Sequence, residues 1–140
     1  MKKTILAILC LVLTTIGFAQ KTKPTPAAEK SFMQKFPNAK EVKWDKEGKD
    51  EYEAEFIMDG KKGSANFSAA GLWMETEMSI PQANTPKSVM DTFTKNCKSA
   101  TITEVYKIET KEGKNYFEIE YTQSGKKLEA KIAADGKLMK

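Results

Sequence analysis

The feature that most constrains this chain is that it repeats itself. Lys46-Glu47-Gly48-Lys49 recurs as Lys111-Glu112-Gly113-Lys114, and at that offset of 65 residues 46–75 align with 111–140 without a gap. Thirteen of the thirty pairs are identical, among them Glu53/Glu118, Glu55/Glu120, Gly60-Lys61-Lys62/Gly125-Lys126-Lys127, Ala65/Ala130 and Gly71/Gly136. Upstream the offset becomes 61, with Phe32 and Phe36 matching Phe93 and Cys97. The chain therefore reads as a tandem duplication whose second copy carries a longer first connection. A unit repeated in this way builds one supersecondary element twice and buries its apolar surface beside its neighbour. The link between copies falls at Ser79 to Thr85, around Pro81.

One copy can be read in detail. Thr25-Pro26 is a cap residue followed by proline, which suits a helix start, and Thr85-Pro86 repeats it. Ala28, Phe32, Met33 and Phe36 recur at helical spacing before Pro37 ends the helix, and Val89, Met90, Phe93 and Cys97 repeat the stripe. Asn38 to Asp45 reads as extended, with Val42 and Trp44 on one face and Lys43 and Asp45 on the other. Glu51 to Met58 alternates, Tyr52, Ala54 and Phe56 against Glu51, Glu53 and Glu55. Asp59-Gly60 is a two-residue hairpin signal, Lys61 to Ala69 returns, Ala70-Gly71 turns, and Leu72 to Ile80 forms a fourth strand.

A two-residue turn at Asp59-Gly60 sets Phe56 against Gly63, Ala54 against Ala65 and Tyr52 against Phe67. In the second copy Tyr121 faces Leu128, Ile119 faces Ala130 and Phe117 faces Ile132. Every pair falls on the apolar face, which fixes the register. A unit of about 60 residues buries little surface alone. The expected fold is α+β: two copies of one helix plus four antiparallel strands, sharing one eight-stranded sheet and its core. Both helices then cover one face and the other is open to water.

The N-terminus reads as a signal peptide over residues 1–19. Met1-Lys2-Lys3 is basic, Thr4 to Ile16 is apolar apart from threonines, and Gly17 and Ala19 are the small residues ahead of a cut before Gln20. The apolar run is short for a membrane span, so no span is expected after cleavage, and the chain is expected in the periplasm or outside the cell. Residues 20–25 read as a flexible tether, and 26–140 as a single domain of two repeats, 26–80 and 86–140. Loss of Lys2 and Lys3 lowers the net charge from +4 to +2, which demands no nucleic-acid partner. Cleavage also leaves Cys97 as the one cysteine, read as a small buried hydrophobe rather than a reactive thiol. The sequence contains no histidine, which excludes Ser-His-Asp and Cys-His triads and His-based metal sites.

Four linked motifs then carry a resemblance: Phe36-Pro37-Asn38-Ala39, Val42-Lys43-Trp44, Tyr52-Glu53-Ala54-Glu55-Phe56 and Gly71-Leu72-Trp73-Met74-Glu75-Thr76-Glu77. Together they resemble the PepSY-like, beta-lactamase-inhibitor-like family of small exported bacterial proteins, over essentially all of 26–140. The resemblance implies helices packed on one face of a curved antiparallel sheet, and it supplies no catalytic residues. The second copy departs from the pattern: Leu138 stands in place of Trp73, and Cys97-Lys98-Ser99-Ala100 in place of Phe36-Pro37-Asn38-Ala39.

The candidate binding residues lie on the open face by parity: Glu53, Glu55, Glu118 and Glu120, with Glu75, Glu77 and Glu129. Trp73 shares parity with Glu75 and Glu77, and strict alternation would expose it as an anchor among them. A bulge after Gly71 would instead turn it into the core, as Leu138 at the matching position suggests. Carboxylates on an open face lack the burial that separates their pKa values for acid–base work, and the sequence foretells no cleft. No catalytic residue, metal site or cofactor is expected. The leading expectation is a non-catalytic binding module holding a periplasmic protein or peptide on the open face or at a sheet edge. The alternative is a small-ligand or metal-binding envelope protein.

Overall fold

The computed structural model describes residues 22–139, so the expected signal peptide and its cleavage site lie outside the described residues, as does Lys140. The elements are α1 (Pro26–Lys35), β1 (Lys40–Lys46), β2 (Glu51–Met58), β3 (Lys61–Ser68), β4 (Trp73–Ser79), a single 3₁₀ turn (Gln82–Asn84), α2 (Lys87–Asn96), β5 (Thr101–Thr110), β6 (Asn115–Gln123) and β7 (Lys126–Ala133). The strands form one sheet in chain order, each antiparallel to the next. Among the described residues it has seven strands, not eight. Past β7 the chain makes a turn and only an isolated bridge, Ile132 to Leu138, with Met139 N–H donating to the Lys131 carbonyl at 2.8 Å.

The hairpins have the expected registers. Asp59 and Gly60 both have positive φ (52° and 75°), as do Ser124 and Gly125 (51° and 76°). That is the backbone of a type I′ turn, whose twist matches paired strands. Phe56 accordingly faces Gly63 and Tyr52 faces Phe67, while Ile119 faces Ala130 and Phe117 faces Ile132. The extra residues of the second half do not form a longer connection. They lengthen β5, which pairs β4 on one side and β6 on the other.

Each helix lies on the same face of the sheet. Thr25 caps α1: its hydroxyl accepts from Ala28 N–H at 3.2 Å and donates to the Ala69 carbonyl at 2.7 Å. With Pro24 buried, the segment expected as a tether is already bound to the fold by its last two residues. Gly71 lets the β3–β4 turn meet α1, since a Cβ there would stand 2.7 Å from the Ala27 carbonyl oxygen at a φ of +83°. Thr85 does not repeat the cap. Its N–H closes the 3₁₀ turn on Gln82, and Pro86 stands at the start of α2 without a side-chain cap.

The core is two clusters rather than one shared core. Ala28, Phe32, Phe36, Ala54, Phe56, Ala65 and Phe67 form the first, with Trp44 and Trp73 packed against it. Val89, Phe93, Val105, Phe117, Ile119, Tyr121, Ala130 and Ile132 form the second. Val42 is not inward as expected: β1 slips register between Lys40 and Lys43, Glu41 takes a φ of 55°, and Val42 is 37% exposed.

Candidate functional site

The period of two in β2, β4 and β6 lifts their glutamates away from both helices. Glu53 stands opposite Asn66 and Asp45, Glu55 opposite Ser64 and Lys43, and Glu77 opposite Ser64 and Ile108. Glu118 faces Lys131 and Tyr106, and Glu120 faces Glu129 and Glu104. This face is hollowed. Residues of β1 to β6 line a cavity of about 450 Å³, and six of them are glutamates: Glu41, Glu53, Glu55, Glu77, Glu118 and Glu120. Only Lys43 and Lys62 bring positive charge to its lining. Tyr106 and Ser64 complete the polar wall.

Burial in the hollow separates the carboxylates, contrary to the expectation from an open face. Desolvation pushes Glu77 up to about 7, helped by the charges of Glu118 and Glu75 and opposed by Lys131. Desolvation also raises Glu53, against a hydrogen bond from Ser64, with Glu47 adding repulsion. Glu120 is raised by desolvation and by Glu118, Glu104 and Glu129. Glu118 is 8% exposed and is paired with Lys131 Nζ at 3.1 Å. Desolvation opposes the charge of Lys131, and the hydrogen bond and charge of Glu118 outweigh it, so its pKa rises. Burial pushes the Tyr106 phenol up to about 12, and Glu120 and Glu104 add to the effect. Tyr106 therefore stays neutral and can donate.

The expected site residues divide three ways. Glu53, Glu55, Glu77, Glu118 and Glu120 come together at the hollow. Glu75 and Glu129 share the face but stand outside the lining: Glu75 accepts from the Tyr116 hydroxyl at 3.1 Å, and Glu129 lies beside Glu120. Trp73 is on the other face. The β3–β4 register slips between Asn66 and Phe67, which sets Trp73 against Phe67 and packs its ring on the first core cluster. Its indole N–H donates to Thr76 Oγ1 at 2.8 Å, and Lys35 Nζ stands 3.8 Å from the ring centroid. The residue left outside is Leu72, 66% exposed.

Sequence reasoning missed Glu41, Lys43, Lys62 and Tyr106 as wall residues. Tyr106 was signalled by its alternation with the inward Val105. Glu41 was not, because a bulge aims it.

The arrangement offers a dense set of acceptors. A guanidinium or ammonium group fits it, since charge-assisted hydrogen bonds strengthen in a partly desolvated site. Among the described residues no group of three or more His, Cys, Asp or Glu side chains is arranged to hold a metal ion. No helix among them is long and apolar enough to cross a membrane.

Comparison with known proteins agrees with this architecture. No curated protein matches the chain. A BLIP-like protein from Bacteroides fragilis is 25% identical, covers 85% of each chain and superposes with a TM-score of 0.68. A protein from Bacteroides eggerthii described as periplasmic has a TM-score of 0.74 at 15% identity, covering 85% of this chain and 88% of the other. A DUF2874 family protein from Bacteroides ovatus gives 0.72 at 20% identity, covering 85% and 86%. At those lower identities the likeness is one of fold. Residues 50–140 match the sequence model described as "Putative beta-lactamase-inhibitor-like, PepSY-like". The chain belongs to the PepSY-like, beta-lactamase-inhibitor-like family.

Proposed function

We propose that this chain is a non-catalytic periplasmic binding module, built from a duplicated unit, that holds a basic side chain of a protein or peptide in the hollow of its open sheet face. The observation that carries this reading is the lining itself: six carboxylates against two lysines around about 450 Å³. Such a cavity focuses negative potential and draws in a cation. The face suits the role better than the free edge. The edge strand β1 carries Lys40, Lys43 and Lys46 and a bulge, features that discourage strand addition. The basic and apolar N-terminus, and the periplasmic description of a protein of the same fold, support export.

The test is calorimetric titration with an arginine-rich hexapeptide and with its citrulline counterpart, which keeps the shape and loses the charge. The arginine peptide is expected to bind saturably, to weaken as salt rises, and to lose at least about tenfold in affinity to a Glu53→Gln/Glu120→Gln variant, as for charge-assisted bonds lost. Equal binding of the two peptides, or no binding by either, would sink the reading.

A further inference from the structure

A second hollow, of about 660 Å³, opens on the helix side of the sheet, between the last turn of α2 and the start of β5. That volume is in the range of small-molecule sites. Met90, Phe93, Cys97, Ala100 and Ile102 form its apolar wall, and Lys98 brings the one charge to its lining.

The first half of the chain shows what is missing there. Cys97 stands at the position matched by Phe36, each ending its helix four residues after a buried phenylalanine, Phe93 and Phe32. Phe36 is buried, its ring 5.3 Å from Phe32 and 4.8 Å from Phe56. One strand on, Trp44 stands opposite Ala54, and Val105 stands opposite Ile119, the residue aligned with Ala54. The Trp44 ring lies 5.4 Å from Phe32 and 6.2 Å from Phe67. In the second half a thiol and an isopropyl group thus replace a phenyl and an indole. The one ring pair there, among the described residues, is Phe93 with Tyr121.

We propose that this cleft binds a small aromatic anion, a molecule with one or two rings and a single acidic group. Its ring would take the space beside Cys97 that Phe36 fills in the first half. The edge of Phe93 and the sulfurs of Met90 and Cys97 offer the contacts that ring faces and edges favour. The acidic group follows from charge complementarity. Lys98 is exposed at the mouth and has no ion pair among the described residues. The acidic hollow on the opposite face would repel the same ligand, so the two sites select for opposite charge and stand independently.

The probe is 8-anilinonaphthalene-1-sulfonate, titrated into the purified chain beginning at Gln20, which keeps every described residue. One saturable site is expected. Cys97→Phe, which restores the residue of the first half, is expected to lose at least tenfold in affinity with its circular dichroism unchanged. Lys98→Glu is expected to weaken binding several-fold. In the unaltered protein, saturating probe is expected to slow iodoacetamide alkylation of Cys97 several-fold, a readout that decides the matter if Cys97→Phe does not fold. A folded Cys97→Phe that binds like the parent would overturn the proposal, as would alkylation at an unchanged rate. Equal or tighter binding of the neutral N-phenyl-1-naphthylamine would overturn the assignment of an anion.

Discussion

Ionising Glu77 is expected to destabilise the fold over a definite pH window. Glu77 sits mid-sheet between Ser64 and Ile108, with Glu118 and Glu75 near enough to repel its charge. A carboxyl with a folded pKa of about 7 and an unfolded value of 4.5 binds its proton more tightly in the native state. Stability is therefore greatest below pH 4.5, where both states are protonated. It falls as pH rises, because the unfolded chain releases the proton first, and the loss is complete above about pH 7. The gap corresponds to about 3 kcal/mol as a ceiling, and to about 2 kcal/mol once residual wetting of the side chain screens the charge. Glu77→Gln keeps the shape of the protonated acid and cannot ionise. Urea denaturation of both proteins from pH 4 to pH 8.5 measures the difference. The variant is expected to match the parent near pH 4 and to exceed it by about 2 kcal/mol above pH 7.5. Parallel stability curves would show that Glu77 titrates normally and that the hollow does not desolvate it.

Four further outcomes follow from the packing. Trp73→Ala is expected to cost about 2–4 kcal/mol in thermal melts, since its ring packs on the first core cluster, while arginine-peptide affinity stays unchanged. Gly63→Ala is expected to cost about 1–3 kcal/mol by overpacking, because its Cβ would stand 3.0 Å from Phe56 Cζ and closer still to Met78 Sδ. Thr85→Val is expected to raise stability by about 1 kcal/mol, because the Thr85 hydroxyl is buried with no hydrogen-bond partner among the described residues; a fall in melting temperature would reveal a missed partner. Glu129→Gln is expected to stabilise the free protein by a few tenths of a kcal/mol and to weaken arginine-peptide binding. The reason is that Glu129 faces Glu120, while Lys131 is engaged by Glu118. A loss of stability with unaltered binding would show that Glu129, outside the lining, neither strains Glu120 nor adds to the pull of the hollow on a cation.

Where sequence reasoning succeeded, the information was local. Asp59-Gly60 and Ser124-Gly125 set two hairpin registers, because positive φ at both central positions leaves one turn geometry that closes the strands without a slip. The period of two in Glu51–Met58 then decided which side chains leave the core. The failures came where the backbone breaks its period. A bulge in β1 turned Val42 outward and Glu41 into the hollow. Trp73, for which the sequence left both faces open, went inward by a slip between β3 and β4, the kind of irregularity expected after Gly71. Thr85 carries the same dipeptide as Thr25 but lies in a different turn, so its hydroxyl has no helix to cap.

The sequence alone determined that one helix and a set of hairpins occur twice, that both helices share a face, and that the opposite face is acidic. Those properties depend on turn chemistry and on the alternation of side chains along a strand, both written within a few residues. Only the tertiary structure decided that the acidic face is hollow, and that Glu53 and Glu77 are half-buried there, where desolvation raises their pKa values. It also decided that a hollow opens beside Cys97, the residue in the place of Phe36, while Val105, in the place of Trp44, is buried in the second core cluster. Curvature and cavities are sums over many strands and packing contacts. Whether neighbouring elements move in to fill a lost ring depends on what holds them from every side, and no short stretch of sequence records that.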